Sequence, residues 1–264
     1  MDDVEGARTF AASGSAYDLF MGRYSIPLAD LFADAAGVAV GQTALDVGCG
    51  PGALTRVLVD RLGADAVAAC DPSPSFVEEC KQRLPGVDVR LGRAEQIPFD
   101  DDRFDAALAQ LVLHFVSDPH TAAAEMSRRV RPGGVVGACV WDFANGMEML
   151  RHFWDAASML NPNAPDEART LRFGGPGEIV ELFEGAGLLS VEETSLTVQT
   201  RYADFDELWS GFLAGLGPAG AFTMSLPDDQ RQRLRRDLYR RVGQPDGSFS
   251  LSAVSRCAVG RVAG

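Results

Sequence analysis

The most constraining feature of this 264-residue chain is a glycine-rich turn between a strand pattern and a helix pattern. Residues 43–47 predict a β-strand, and residues 53–62 carry apolar side chains at helical spacing. Between them lie Gly48, Gly50 and Gly52. Glycine adopts positive φ without steric cost and lets a ligand approach bare backbone. In open α/β sheets ligands bind at the carboxyl ends of the strands, so the turn predicts a ligand site there.

The alternation of strand and helix patterns continues along the chain and predicts an α/β fold with a mostly parallel sheet. Further strands are predicted at residues 66–71, 87–91, 104–110 and 135–141, and helices begin near Ser73 and Asp118. Beyond residue 141 the regular alternation stops. There we expect a loop at 161–175, strands at 188–200 and 249–262, and helices at 147–160, 176–186, 204–213 and 227–242.

Charge and composition exclude several classes of protein. The chain has 24 Lys and Arg against 37 Asp and Glu, a formal charge of −13, which would repel a phosphate backbone. No apolar run approaches the ~18 residues of a membrane span. Residues 1–5 lack the basic and apolar regions of a signal peptide. We therefore expect a cytoplasmic protein that binds neither nucleic acid nor membrane.

Cysteine and histidine usage gives no support for a metal site or for disulfides. The cysteines form no CxxC pair, and no two of the three histidines are spaced i,i+4 on one helix. Most of the cysteines lie in or beside apolar segments, which predicts buried, reduced thiols. The five are Cys49, Cys70, Cys80, Cys139 and Cys257.

The glycine pattern alone leaves the ligand open. The spacing of Gly48, Gly50 and Ala53 satisfies a relaxed dinucleotide fingerprint, and Asp71 lies where a ribose-binding acid is expected. A tight turn with only a structural role is a further alternative. Asp46 favours another ligand, because a carboxylate two residues before the first glycine opposes a pyrophosphate and attracts an ammonium group. S-adenosylmethionine has ribose, an α-ammonium and a sulfonium, and no phosphate, so charge favours it over NAD.

The run Ala44-Leu45-Asp46-Val47-Gly48-Cys49-Gly50-Pro51-Gly52 resembles motif I of class I S-adenosylmethionine-dependent methyltransferases, particularly those acting on small molecules. Asp71 resembles the ribose-binding acid of that family, residues 92–99 resemble the segment that covers adenine, and residues 131–134 resemble the turn before the fifth strand. These landmarks span residues 42–142. The resemblance implies a Rossmann-like, doubly wound, seven-stranded, mostly parallel sheet with helical lid insertions.

The resemblance also implies cofactor contacts outside the glycine turn. Backbone near Gln110 and Leu111 would accept a hydrogen bond from the cofactor's ammonium group, and Arg23 would either contact its carboxylate or lie at the surface. The family often has Asp where Arg93 stands, which leaves backbone near Ala94, or Glu95, to contact adenine. The predicted cofactor-binding residues are Arg23, Asp46, Gly48, Cys49, Gly50, Gly52, Asp71, Pro72, Ser73, Arg93, Ala94, Glu95, Gln110 and Leu111.

Candidate acceptor residues lie at the same edge of the predicted sheet. His114 follows the fourth strand and is either a general base near neutral pH or a structural histidine. Trp141 and Asp142 end the fifth strand, where Asp142 would orient an acceptor or cap the turn. Tyr17 would lie over the methyl donor or pack. Methyl transfer is an in-line displacement in which most of the catalysis is orientation, so a base is needed only if the acceptor must lose a proton.

We expect a single domain over residues 1–264. Its parts would be an N-terminal helical lid segment (1–40), a cofactor-binding core (42–142), and the rest of the sheet with helical insertions over the acceptor (143–264). The predicted function is methyl transfer from S-adenosylmethionine to a small organic acceptor by a monomer or homodimer. The alternatives are an NAD-dependent oxidoreductase and a non-catalytic member of the fold. Six arginines within residues 231–241 predict a solvated helix face or a docking patch for an anionic partner.

Overall fold

A computed structural model of the protein describes residues 18–264. Its centre is one seven-stranded sheet with the order β3-β2-β1-β4-β5-β7-β6. The first five strands pair in parallel, and β7 runs antiparallel to both β5 and β6. This mixed, mostly parallel sheet confirms the predicted fold class. The strands are β1 Ala44–Val47, β2 Val67–Asp71, β3 Asp88–Leu91, β4 Phe104–Gln110, β5 Val130–Trp141, β6 Leu189–Tyr202 and β7 Phe249–Arg261.

Helices flank the sheet, and a π-helical turn, Asp18–Gly22, leads into the first of them. The helices are α1 Arg23–Ala35, α2 Ala53–Leu62, α3 Pro74–Arg83, α4 Pro119–Arg129, α5 Glu148–Leu160, α6 Glu167–Thr170, α7 Glu178–Gly185, α8 Phe205–Leu213, α9 Gly217–Ser225 and α10 Asp228–Arg241. Among residues 18–264, no helix has the length and apolar character needed to cross a membrane.

Local sequence explains where the helices of the first half begin. Ser73 accepts a hydrogen bond from the Phe76 N–H (3.5 Å) before α3, and Asp118 accepts one from the Thr121 N–H (3.0 Å) before α4. Both capping residues are followed by proline, which has no N–H to leave unpaired in the first turn. These short-range features account for the agreement between predicted and observed boundaries here.

Helix α1 lies on the sheet. Its side chains Tyr24, Leu28 and Phe32 are fully buried, and the helix contacts β4, β6 and β7. A Cβ atom at Gly137 of β5 would lie 3.3 Å from the Phe32 ring, so the helix packs directly against the strand. Residues 23–35 therefore form part of the core layer, whereas their predicted role as a lid stays a prediction.

Three elements differ from the sequence prediction. The segment 161–175, expected to be a loop, contains α6. Helix α9 was not predicted because its glycines and proline have low helix propensity, and burial of Ala219 and Phe222 compensates for that. Strand β5 starts at Val130, ahead of the predicted residue 135, since Val130 already pairs with Phe104.

The segment that follows β5, residues 143–225, is called the insertion below. Its aromatic residues form part of the hydrophobic core. The rings of Phe153 in α5 and Phe212 in α8 stack with their centroids 4.3 Å apart. The predicted apolar stripe of α8 (Phe205, Leu208, Trp209 and Phe212) is buried. Packing of this kind holds α5, α8 and α9 together beside the carboxyl ends of the central strands.

Candidate functional site

A cavity of about 480 Å³ lies at the carboxyl edge of the sheet. Residues at the ends of four strands line it: Asp46 of β1, Asp71 of β2, Gln110 of β4 and Trp141 of β5. One side, which we call the turn wall, consists of Asp46 and residues 48–51, 71–76, 93–95 and 110–112. The other side, the apolar wall, consists of Phe20, Met21, Trp141, Phe143, Glu167 and Gly217.

The backbone N–H groups of the glycine turn are already hydrogen-bonded within the protein. Those of Gly48 and Cys49 both donate to the carbonyl oxygen of Cys70, at 2.8 and 3.0 Å. That of Gly50 donates to Oδ2 of Asp71 at 2.8 Å. The turn therefore takes its shape from bonds to the neighbouring strand β2.

The remainder of the turn also has no N–H to offer. Pro51 has none, and the Gly52 N–H donates to the carbonyl oxygen of Cys49 at 3.0 Å. Every N–H between residues 48 and 52 is thus occupied. A turn that binds a diphosphate relies on such groups to hold the anion. This turn consequently favours a ligand without phosphate.

Gly48 and Gly52 have different roles. A Cβ atom at Gly48 (φ +75°) would lie 2.5 Å from a methyl carbon of Val112, so no side chain fits at this point of the cavity wall. Gly52 (φ +98°) faces Leu84 and Cys80 and does not line the cavity. Gly52 allows the backbone turn and the packing behind it, and its predicted contact with the cofactor stays a prediction.

Asp71 is held rigidly at the end of β2. Its Oδ1 accepts the Ser73 N–H and its Oδ2 accepts the Gly50 N–H, both at 2.8 Å. Each carboxylate oxygen has a further lone pair for a ligand hydroxyl. Burial raises the pKa of Asp71, against the effect of the two backbone hydrogen bonds. Pro72 and Ser73 line the cavity beside it.

Asp46 is a buried carboxylate that lacks a cation. Its Oδ2 accepts the Thr55 hydroxyl at 2.6 Å. Burial raises the pKa of Asp46 to about 7, the Thr55 hydrogen bond opposes that rise, and the nearby charge of Asp71 adds to it. No cation is among the groups that shift it. A positively charged ligand group at this position would stabilise the ionised form.

At the end of β4, the side chain of Gln110 offers a hydrogen-bond acceptor in addition to the backbone. Nε2 of Gln110 donates to the carbonyl oxygen of Ser25 at 2.9 Å, and its buried Oε1 has no partner within the described part of the chain. Leu111 takes a left-handed conformation (φ +61°), and its N–H donates to Cys139. An unpaired buried acceptor is costly unless a ligand donates to it.

Residues 93–95 form the rim of the cavity. Arg93 is exposed and pairs with Glu95 at 3.6 Å. Glu95 also accepts the Ser117 N–H at 3.1 Å. Buried Ala94 lies between them, and all three line the cavity. Glu95 therefore anchors the loop at Ser117 and is not a solvated lone charge.

Arg23 is not placed at the cavity. Its Nη2 pairs with Glu207 at 2.8 Å, and its guanidinium lies 4.3 Å from the centroid of the Tyr202 ring. It is absent from the residues that line the cavity. Arg23 thus joins α1 to α8 and β6, and its predicted contact with the cofactor carboxylate stays a prediction.

Asp142 acts as a cap. It is buried, pairs with Arg256 at 3.0 Å and accepts the Asn145 N–H at 2.9 Å. It is not among the residues that line the cavity, and its hydrogen bonds fit the alternative that it caps the turn. Tyr17 lies outside the described residues.

His114 lines the cavity, but not as a base for neutral pH. Burial lowers the pKa of His114 to about 3, so the imidazole is neutral and weakly basic at pH 7. Its ring contacts Phe115 and Phe143, and its buried Nδ1 has no hydrogen-bond partner among the described residues. Over residues 18–264, no group of three His, Cys, Asp or Glu side chains is arranged to hold a metal ion.

The apolar wall contains two polar features. The indole Nε1 of Trp141 is buried without a partner in the described part of the chain. Glu167 is 6% exposed, and its Oε2 accepts the Trp154 indole N–H at 2.6 Å. Both residues line the same cavity as Asp46 and Asp71.

Residues 45–137 match the model of a protein family described as the methyltransferase domain. The matched part of this chain is similar to the methyltransferase domain, in agreement with the predicted class I, S-adenosylmethionine-dependent methyltransferase. The turn wall lies within or beside the matched residues, and S-adenosylmethionine is the cofactor of this class. Most of the apolar wall, in contrast, lies outside the matched range.

Relatives agree with this family. A methyltransferase of Mycobacterium tuberculosis is 43% identical over 104 residues, which cover 39% of this chain and 41% of that protein. The demethylmenaquinone methyltransferase of Paenarthrobacter aurescens is 40% identical over 101 residues, which cover 38% of this chain and 39% of that protein. The chain thus spans about two fifths of the length of these relatives.

A solved structure supports the fold over a longer range. The phosphoethanolamine N-methyltransferase 2 of Haemonchus contortus, solved with phosphomonomethylethanolamine and S-adenosylhomocysteine, superposes with a TM-score of 0.56 at 14% identity. The match covers 90% of this chain and 53% of that one. The methyltransferase domain and the insertion of this chain therefore share one known fold.

Sequence reasoning missed Glu167. The run Pro165-Asp166-Glu167 contains a helix start signal, since Asp166 accepts the Ala168 N–H at 3.0 Å. That signal could have predicted helix α6. Nothing in the local sequence, however, indicates that Glu167 reaches the cavity of the methyltransferase domain, because this depends on how the insertion folds back onto the sheet.

Proposed function

We propose that the protein is an S-adenosylmethionine-dependent methyltransferase that transfers a methyl group to a small organic acceptor. This proposal rests on which hydrogen-bonding groups of the turn wall are already paired and which are available to a ligand. The N–H groups of residues 48–52 are occupied, whereas Asp46, Asp71 and Gln110 offer acceptor oxygens. That set matches an ammonium group and ribose hydroxyls and is unsuited to the diphosphate of NAD.

Each residue of the turn wall then has a definite task. Asp71 accepts hydrogen bonds from the ribose hydroxyls, and its orientation is fixed by backbone. Asp46 and Oε1 of Gln110 face the ammonium group. The absence of a side chain at Gly48 lets the ligand lie against the turn. When bound, the cofactor supplies an electrophilic methyl group on a sulfonium.

The apolar wall orients the acceptor and keeps water out. Phe20, Trp141 and Phe143 line this side, so an acceptor with an apolar body would be held in one orientation. Holding two reactants in line can lower a barrier by about 7–11 kcal/mol. We also propose that residues 143–225 act as the cover of the acceptor site. The demethylmenaquinone methyltransferase that this chain resembles supports a small-molecule acceptor.

Titration calorimetry with S-adenosylhomocysteine, S-adenosylmethionine and NAD tests the cofactor. We expect both sulfur ligands to bind and NAD to give no heat at the same concentrations. Binding of NAD together with no binding of either sulfur ligand would overturn the proposal in favour of the oxidoreductase alternative. Labelled methyl transfer to a panel of small molecules then separates an enzyme from a non-catalytic member of the fold.

A further inference from the structure

Glu167 is the only acidic side chain in the apolar wall, among the residues that the structure describes. It opens α6, a short helix of the insertion, and is 6% exposed. It lines the cavity together with Trp141 and Phe143. A buried carboxylate in apolar surroundings needs a function or a partner, because its burial is costly.

The partners of Glu167 leave one of its oxygens available. Oε2 accepts the Trp154 indole N–H at 2.6 Å. Within residues 18–264, Oε1 takes part in no hydrogen bond. Arg151, the cation whose charge acts on Glu167, is paired with Asp166 at 2.6 Å and with Asp155 at 3.1 Å. Glu167 is thus held in place by an indole and lacks an ion pair of its own.

Its surroundings favour the protonated carboxyl. Burial raises the pKa of Glu167 to about 7, with a further rise from Asp166. The Trp154 hydrogen bond and the charge of Arg151 act in the opposite direction. The other carboxylates that line the cavity, Asp46, Asp71 and Glu95, belong to the turn wall. A carboxylate that gains from taking up a proton is suited to remove one from a bound molecule.

We propose that Glu167 is the base that accepts the proton of the acceptor, and that the acceptor is an apolar molecule with a weakly acidic hydroxyl, a phenol or an enol. This inference rests on the proposed function. Aromatic side chains line the same wall and favour a flat, apolar acceptor body. A base that titrates near neutral pH is effective for hydroxyls of this acidity, whereas a carboxylate acceptor has no proton to lose.

Proton transfer to Glu167 and methyl transfer to the acceptor need no further reactant. The acceptor O–H bond breaks, its proton goes to Oε1 of Glu167, and its electron pair stays on the acceptor oxygen. That oxygen forms a new bond to the methyl carbon. The electron pair of the broken carbon–sulfur bond stays with sulfur, so the sulfonium becomes a neutral thioether. The product is a methyl ether, and Glu167 returns its proton to solvent.

The first test measures the titration without activity. The indole N–H of Trp154 gives a proton–nitrogen NMR signal, which Trp154→Phe identifies by its loss. We expect that signal to shift with a midpoint near pH 7 in the full chain with S-adenosylhomocysteine bound, and to stay constant in Glu167→Gln. A midpoint below pH 5 would show a permanently ionised carboxylate and would overturn the base role.

The second test uses methyl-labelled S-adenosylmethionine with phenol, catechol, 1-naphthol and acetylacetone as acceptors. We expect transfer to at least one of them. Glu167→Gln should lower kcat about 10²–10⁴-fold and remove the acidic limb of the pH profile, with unchanged affinity for S-adenosylhomocysteine. Glu184→Gln, an exposed glutamate of α7, is the matched control and should change nothing.

Trp154→Phe distinguishes a role of Glu167 as a base from a purely structural role of Glu167. It leaves the carboxyl but removes the hydrogen bond that lowers its pKa, so the acidic limb should move to higher pH. A structural role would instead lower the rate equally at every pH, which would count against the inference. This variant keeps the test valid if Glu167→Gln does not fold.

Three further results would each contradict a different part of the proposal. If S-adenosylhomocysteine binds but none of the four acceptors is methylated, the proposed acceptor class is wrong. If Glu167→Gln keeps the wild-type rate and pH profile, Glu167 is not the base. If the wild-type chain fails to bind S-adenosylhomocysteine, the proposed function fails first, and this inference falls with it.

Discussion

The two walls of the cavity are built in different ways. The turn wall is held by backbone hydrogen bonds between neighbouring strands, as where Gly48 and Cys49 both donate to Cys70. The apolar wall is assembled from residues that are far apart in sequence, from Phe20 to Gly217. The difference indicates that the turn wall is fixed by the sheet itself, whereas the apolar wall depends on packing of the insertion.

Gly48→Ala is expected to have the largest effect, because the turn wall has no room for a side chain. The new Cβ would lie 2.5 Å from Val112 at a φ of +75°. Left-handed backbone costs a non-glycine residue about 1–2 kcal/mol, and overpacking costs about 1–3 kcal/mol. We expect the free energy of unfolding to fall by about 2–5 kcal/mol in urea titrations and binding of S-adenosylhomocysteine to be lost.

Gly177→Ala is the matched control for that prediction. Gly177 also has a left-handed backbone (φ +81°, ψ −14°), but nothing lies within 4 Å of its Cβ position. It should therefore show only the backbone cost, about 1–2 kcal/mol, and keep ligand binding. Equal losses in the two variants would mean that the close approach to Val112 does not limit the turn wall.

Glu167→Gln tests how much folding stability is lost by ionising the buried carboxyl of the apolar wall. The pKa of Glu167 is raised to about 7 in the folded chain, so wild-type stability should fall as the pH rises from the unfolded value, about 4.5, through 7. The glutamine variant has no such loss. We expect it to gain up to about 3 kcal/mol relative to wild type between pH 4.5 and 8, measured by denaturation at each pH. A difference that is flat with pH would contradict the raised pKa.

Asp71→Asn tests the turn wall without changing its volume. The amide keeps one acceptor oxygen and loses the charge, so one of its two backbone bonds and one ribose contact weaken. Hydrogen bonds to charged groups are worth about 1.5–3 kcal/mol, which corresponds to roughly a 10–100-fold weaker Kd for S-adenosylhomocysteine in calorimetry. Asp88→Asn on β3, whose carboxylate pairs with Arg90 at an exposed position, should leave that Kd unchanged.

Arg240→Ala is expected to have the smallest effect, since it lies in neither wall. Arg240 pairs with Asp237 within α10 at 3.0 Å in an exposed position. Exposed pairs contribute at most about 1 kcal/mol. Unfolding and ligand binding should therefore be close to wild type. A large loss of activity would instead support the alternative in which the arginines of α10 dock an anionic partner.

Much of the turn wall could be predicted from sequence. The strand and helix patterns on either side of Gly48 placed it at the end of β1, and the spacing to Asp71 placed that carboxylate at the end of β2. The ion pairs of Arg23 and Asp142 could not be predicted, because each residue was judged from its neighbours in sequence. Their partners, Glu207 and Arg256, are more than 100 residues away.

The sequence by itself determined the α/β order, the glycine turn and the carboxylates of the turn wall, because these depend on periodicity and backbone conformation over short stretches. Only the tertiary structure decided which side chains complete the cavity. It brought Glu167 to the apolar wall and buried His114 so that its pKa falls to about 3. The physical reason is that burial and unpaired polar atoms arise from contacts between distant segments, which no local pattern encodes.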